Sequence, residues 1–303
     1  MIRKDFLKEG YVFATRAAEI ARAAGGHTRP ARLASNENPY PPSPKAVKAA
    51  ADVLPPHANR YPDETNKEFI DALKKRHGDY RFVASVGMDG IIDTVIRTLI
   101  ADGDQVAVAT PTYSYYGLAV QAQGGTTVSV PRKADFSVDP EAFCRDAAGG
   151  TKLAFLCTPN NPTGGTTETP ETIAAICENY EGILFLDCAY IEFDGTDYRP
   201  LMKRYRNLII GRTMSKAYSL AGLRVGYAFV PEWYEPIYQR AATPPFTLNM
   251  VSQAAATAAL RDTVHVKKIV SVVQEWRQRF IDECPYPVVP GGANFVMVDV
   301  APP

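Results

Sequence analysis

An excess of charge of either sign is missing from this chain: 33 lysines and arginines stand against 33 aspartates and glutamates in 303 residues. No global field therefore draws it to nucleic acid or to an anionic membrane surface. Long apolar runs are missing too, and none approaches the length that spans a bilayer. The N-terminal stretch MIRKDFLKEGY carries two acids and no apolar core of the kind a signal peptide needs. Cysteine is sparse and odd in number, with Cys144, Cys157, Cys177, Cys188 and Cys284 scattered and free of any CxxC spacing. That pattern offers no disulfide framework and no metal ribbon, and it fits a reducing, cytoplasmic compartment. Neither G-x-G-x-x-G nor GxxxxGK[ST] occurs, which removes the usual nicotinamide and nucleoside-triphosphate sites. Repeats, low-complexity tracts, a helix-turn-helix segment and a basic arm are absent as well.

What is present is a globular composition, 46% hydrophobic and 22% charged, with enough chain for one large domain or two ordinary ones. Apolar, β-rich runs at 82–86, 105–109, 127–130, 153–157, 183–187, 207–211 and 225–230 alternate with helical periodicity, as at 91–100 and 171–179. The runs are continuous rather than alternating, so the strands are buried on both faces. That predicts an α/β fold with a mostly parallel central sheet. An alanine-rich helix is expected at 13–24, packed on the body. Beyond Pro245 the pattern changes to two long helices, 248–260 and 263–281, and one short strand at 294–300 without a partner. We read 35–245 as a large domain, with 1–34 as an arm that joins a smaller α/β domain at 246–303. That smaller domain stops abruptly at Pro303 and reads as incomplete.

In parallel α/β sheets ligands bind at the carboxyl ends of the strands. Five strand ends carry chemistry here. Gly87-Met88-Asp89-Gly90 lies between a strand and a helix, where free N–H groups suit a phosphate, although an ordinary βα turn looks the same. Tyr113 in Pro111-Thr112-Tyr113 can stack on a flat ligand or simply pack. Asn161, in a proline-rigid turn, offers an amide donor. Asp187 follows four apolar residues and needs a cation or hydrogen bonds, and Tyr190 is close enough to share its pocket. Lys216, near a buried strand end, loses hydration, which lowers its pKa and lets it condense with a carbonyl. Arg224 carries a fork suited to phosphate. Singly, each has a bland explanation. Together they supply what one pyridine aldehyde phosphate requires: phosphate donors, a stacking ring, a donor for its phenolic oxygen, a carboxylate for its ring nitrogen and a lysine for its aldehyde.

Those residues stand in strings that resemble a known family, the class I/II, fold-type-I pyridoxal phosphate aminotransferases. The strings are Leu33-Ala34-Ser35-Asn36-Glu37-Asn38-Pro39-Tyr40, Asn59-Arg60-Tyr61-Pro62-Asp63, Pro111-Thr112-Tyr113, Pro159-Asn160-Asn161-Pro162-Thr163-Gly164 and Asp187-x-Ala189-Tyr190. They continue with Arg212-Thr213-Met214-Ser215-Lys216-Ala217, Leu220-Ala221-Gly222-Leu223-Arg224-Val225-Gly226-Tyr227 and Ala293-Asn294-Phe295, in the family's order across nearly the whole chain. Asn36-Glu37-Asn38-Pro39 makes the chain most similar to the histidinol-phosphate branch.

The resemblance implies that Lys216 bonds the cofactor aldehyde, Asp187 pairs with the ring nitrogen, and Tyr190 and Asn161 hold the phenolic oxygen. It implies that Tyr113 stacks on the ring, and that Ser215, Arg224 and the N–H groups of Met88 and Asp89 take the phosphate. Tyr61 is expected to reach the phosphate of a second copy, which implies a homodimer with shared sites. Tyr11 and Asn36 are expected near the substrate, and the reaction implied passes an amino group to 2-oxoglutarate. A phosphothreonine decarboxylase of the same fold and a broad-range or aromatic aminotransferase share this shell and stay open. Three positions depart from the family: Gly90 and Cys188, where a glutamate is usual, and Ser219, where a glycine is common. The family's substrate-binding arginines in the C-terminal domain have no counterpart up to Pro303.

Overall fold

A computed structural model describes residue 25 and residues 33–166, 168–242 and 245–300. Tyr11 and the helix expected at 13–24 lie outside the described residues.

Among the described residues two helices precede the sheet. The first, α1 (Pro44–His57), starts where Ser43 accepts the N–H of Lys45 at 3.2 Å and Pro44 fills a first-turn position that needs no donor. The second, α2 (Lys67–His77), carries Lys74, Lys75 and Arg76 in its last turn, cations that suit the negative end of the helix dipole. Neither was evident in the strand–helix alternation, because α1 carries two internal prolines and α2 is strongly polar.

The central sheet has seven strands: β1 (Arg81–Val86), β2 (Gln105–Thr110), β3 (Thr126–Pro131), β4 (Leu153–Cys157), β5 (Ile183–Asp187), β6 (Leu208–Thr213) and β7 (Val225–Val230). Their order is β1-β7-β6-β5-β4-β2-β3. Only β7 runs against its neighbours, pairing antiparallel with β1 and with β6. Every residue of β4, β6 and β7 is buried, as the continuous apolar runs predict. Helices α3 (Gly87–Leu99), α4 (Tyr115–Gln123), α5 (Pro140–Ala147), α6 (Pro170–Asn179), α7 (Ile191–Asp194) and α8 (Glu235–Ala241) connect or flank the strands. Two long helices follow, α9 (Met250–Arg261) and α10 (Thr263–Glu283), then a ribbon of β8 (Val288–Val289) and β9 (Met297–Val298).

Three expectations need correction. The helix expected from 91 begins at Gly87, so Gly87-Met88-Asp89-Gly90 is its first turn and not a preceding loop. The strand expected at 207–211 runs over Leu208–Thr213, because its pairing with β7 extends to Thr213 opposite Gly226. The strand expected at 294–300 is a two-residue stretch, and it has a partner: Val289 faces Met297 in antiparallel register. Among the described residues no helix is long and apolar enough to cross a membrane.

One close approach positions the start of α3. A side chain on Gly226 would place its Cβ 2.4 Å from the carbonyl carbon of Gly87 and 2.5 Å from its oxygen. Backbone cannot yield there as a flexible side chain can. We predict that Gly226→Ala costs at least the 1–3 kcal/mol typical of an overpacked core, read as a fall in melting temperature. Gly149→Ala, with nothing within 4 Å of its Cβ, should melt close to the unaltered chain.

Candidate active site

The carboxyl ends of the strands and the first turn of α3 open into one cavity of about 450 Å³. The fold brings there every described residue singled out from the sequence except Tyr61. Met88 and Asp89 come from α3, Tyr113 from the turn after β2, and Asn161 from the turn after β4. Asp187 and Tyr190 come from the end of β5, Ser215 and Lys216 from beyond β6, Arg224 from just before β7 and Asn36 from the segment ahead of α1. Tyr61 does not line it: its ring is 83% exposed and lies stacked on Phe246 at 4.6 Å.

At the floor, Asp187 is 3% exposed. Its Oδ2 accepts the Tyr116 hydroxyl at 2.7 Å and its Oδ1 accepts the Ala189 N–H at 3.0 Å. Tyr116 is held in turn by Phe155 of β4, ring on ring at 4.6 Å and 6° from parallel. Burial pushes the Asp187 carboxyl up to about 6, against the opposing pull of the Tyr116 hydrogen bond. Tyr116 escaped the sequence reading, although it lies three residues beyond Tyr113 in one aromatic run.

Opposite the carboxylate, the Lys216 amine donates to the Ser35 carbonyl at 2.7 Å and lies 5.6 Å from the centre of the Tyr190 ring. Burial lowers its pKa to about 8, with the Arg224 charge acting the same way and Glu37 opposing. The desolvation inferred from its place at a strand end is therefore present.

The third corner is built for an anion. Arg224 donates to Asp89 Oδ2 at 2.8 Å and to the Ser215 hydroxyl at 3.5 Å. Thr213 donates to Ser215 Oγ at 3.0 Å and accepts the Ser215 N–H at 3.1 Å. A Cβ on Gly87, whose φ is +79°, would stand 2.5 Å from the Arg224 guanidinium. Only glycine lets the fork lie against the first turn of α3, whose N–H groups have no partner within the helix. These donors, with a buried carboxylate and a neutralisable amine, fit a group that carries a phosphate, a basic ring nitrogen and an aldehyde.

The segment ahead of α1 forms one wall. Asn36 Nδ2 donates to the Tyr190 hydroxyl at 3.3 Å, and Asn38 Nδ2 donates to the Lys216 carbonyl at 3.1 Å. Asn294 donates to the Asn36 carbonyl at 3.1 Å, and Phe295 meets Tyr190 edge to face at 5.1 Å. The Asn38 contact and the Asn294–Phe295 contacts tie together strings that lie far apart in sequence.

The three departures from the family are explained differently. A Cβ on Gly90 would lie 2.5 Å from Ser85 Oγ, so a larger residue requires Ser85 to move. Cys188 is fully buried outside the cavity lining, and burial raises its thiol pKa. Ser219 adopts φ +58° and buries a hydroxyl with no partner. The left-handed backbone there is the physical reason a glycine suits the position.

Two predictions follow from this geometry. Ser219→Gly should raise stability by about 1 kcal/mol, from relieved backbone strain and one fewer stranded hydroxyl, measured by denaturant unfolding. Asp187 keeps its proton in the folded chain up to about 6 but releases it near 3.8 when unfolded. Stability of the cofactor-free protein should therefore fall as pH rises through that window, by roughly 2–3 kcal/mol. Unfolding at stepped pH should show that fall disappear in Asp187→Asn; an unchanged slope would assign the proton elsewhere.

Comparison with known proteins agrees with this geometry. Residues 29–303 match the model of the family described as aminotransferase class I and II. A histidinol-phosphate aminotransferase of Methanoculleus marisnigri is 59% identical over 293 residues, covering 97% of this chain and 82% of that protein. Among solved structures, histidinol-phosphate aminotransferase from Sinorhizobium meliloti in complex with pyridoxal-5'-phosphate superposes with a TM-score of 0.79 at 27% identity, covering 88% of this chain and 74% of that one. An aspartate aminotransferase of Thermus thermophilus shares the fold with a TM-score of 0.82 at 20% identity, over 99% of this chain and 85% of that one. The chain belongs to the aminotransferase class I and II family.

Proposed function

We propose that this protein is a pyridoxal-5'-phosphate-dependent aminotransferase that moves the amino group of histidinol phosphate to 2-oxoglutarate, in histidine biosynthesis. The observation that carries the reading is the meeting of Lys216, Asp187 and the Arg224–Ser215–Gly87 cradle in one cavity. The names of its close relatives support the substrate.

When bound, the cofactor supplies an electron sink for charge that develops at the substrate α-carbon. The rest is work for this chain's own side chains. Lys216 would bond the aldehyde carbon of the cofactor. As a free amine it is neutral for a useful fraction of the time near neutrality, since its pKa is lowered to about 8. In that form it would serve as the base for the substrate α-proton and as the acid that returns it. Asp187, ionised above about 6, would pair with the protonated ring nitrogen, and Tyr116 keeps its carboxylate in one orientation. Tyr190 and Asn161 are assigned to the phenolic oxygen and Tyr113 to the ring face. Ser215, Arg224 and the N–H groups of Met88 and Asp89 are assigned to the phosphate. Asn36, hydrogen-bonded to Tyr190, is assigned to the substrate.

A homodimer belongs to the same reading. The 83% exposure of Tyr61 supports a role in which its hydroxyl reaches the phosphate bound by a second copy. The separate β8–β9 ribbon supports a smaller domain from 246 onward, although α9 packs on α1 and α2. The cytoplasm is the compartment we assign.

A half-reaction tests the whole. Histidinol phosphate added to the cofactor-loaded protein should convert the bound cofactor to its amine form, and 2-oxoglutarate should restore it with release of glutamate. Lys216→Ala should lower kcat by at least 10⁴-fold, the upper range for loss of a general base. Carbon dioxide release from phosphothreonine in place of amino transfer would overturn the reading.

A further inference from the structure

A second cavity, about 400 Å³, shares no lining residue with the first. It lies between α10, α7 and the end of α2. The two cavities meet back to back at β6: Thr213 lines one and Arg212 the other, as successive strand residues face opposite sides of a sheet.

The charge in this second cavity is unbalanced. Among the described residues Arg76, Arg199, Arg212 and Lys267 line it, against two carboxylates, Glu192 and Asp197. Asp197 is taken up by Arg199 at 2.7 and 2.8 Å, and Glu192 meets Arg212 at 3.2 Å. Arg76 and Lys267 form no salt bridge with a described carboxylate beyond the charge of Arg76 felt at Glu192, and Arg76 also hydrogen-bonds Tyr218. His77 adds no charge: burial and then the Arg212, Arg199 and Arg76 charges lower its pKa to about 3. The surplus is two positive charges. Arg212, with its side chain 9% exposed, also leaves its Nε–H without an acceptor, and Glu192 leaves Oε2 without a donor. Ile191, Val266 and Val270 supply an apolar wall.

We propose that this cavity binds a small phosphate monoester, with its phosphate against Arg76, Lys267 and Arg212 and its organic part against the valine wall. A phosphate monoester carries close to two negative charges at neutral pH, which matches the surplus. An arginine fork is the side chain best shaped for it. The apolar wall of Ile191, Val266 and Val270 gives the organic part a surface to cover, which favours an ester over inorganic phosphate. The proposal does not depend on the reaction assigned to the first cavity.

The test is calorimetric titration of the cofactor-loaded protein with glycerol 3-phosphate and, separately, with inorganic phosphate. Arg76→Ala and Lys267→Ala alter exposed side chains and should fold normally. Each should weaken glycerol 3-phosphate binding at least tenfold and leave the basal kcat unchanged. Arg224→Ala, in the first cavity, should leave this binding in place. Weakening by Arg224→Ala but not by Lys267→Ala would move the binding to the catalytic cavity and overturn the proposal. So would unchanged binding in both cavity variants, or no binding of either probe. Equal affinity for inorganic phosphate would overturn the role given to the apolar wall.

Discussion

Burial of Asp187 and Lys216 by the surrounding protein is the constraint on which the site depends. The same desolvation acts in opposite directions on an acid and a base. It lifts the carboxyl from 3.8 to about 6 and drops the amine from 10.5 to about 8. Two groups that would be far apart in water are brought to either side of neutrality, where proton transfer is most efficient. The carboxylate tolerates burial because Tyr116 and the Ala189 N–H donate to it, and Tyr116 stays in place because it is stacked on Phe155. The chain of support runs from the central strands outward to the reacting groups.

A second constraint is the close passage of backbone past backbone. Gly226 lets β7 lie against Gly87, and Gly87 lets the Arg224 fork lie against the first turn of α3. The two glycines act in series. One brings the helix N-terminus to the sheet, and the other leaves room for the cation that shares its anion. The result is a cluster of donors, which we assign to a phosphate, made without the glycine spacing of dinucleotide or triphosphate sites, so its residues were recognisable in sequence only in combination with Lys216 and Asp187.

Most of the sheet was legible because buried parallel strands are apolar from end to end. The runs at 153–157, 183–187 and 225–230 coincide with strands. The first turn of α3 was not legible as helix, since two glycines in four residues suggest a turn when the packing of Gly90 on Ser85 is unseen. The partner of β9 was missed because a two-residue strand leaves no periodicity. Strand ends pointed to nearly all of the cavity. Tyr116 was invisible to that rule because it reaches Asp187 from a helix beneath the cavity rather than from a strand end. Tyr61 marks a further limit: it lies exposed on Phe246 and away from the cavity, as a residue proposed to act on a second copy could, and one chain offers no contact that distinguishes this.

The turn from β6 to β7 concentrates strain where the chemistry is. Ser219 and Arg224 both take left-handed backbone, φ +58° and +51°, without being glycine. Such conformations cost about 1–2 kcal/mol each and persist only where the surroundings over-determine them. Here the Met214 N–H donates to the Val225 carbonyl at 2.9 Å and the Leu220 N–H to the Met214 carbonyl at 3.0 Å, closing the turn on itself. Met214, Ala217, Tyr218 and Leu220 are buried beneath it. The apolar residues anchor the turn from below, so the polar residues between them, Ser215 and Lys216, have one direction left in which to point. The left-handed backbone at Arg224 stands directly beside its contacts to Ser215 and Asp89, so the strained residue is also the one that carries the guanidinium.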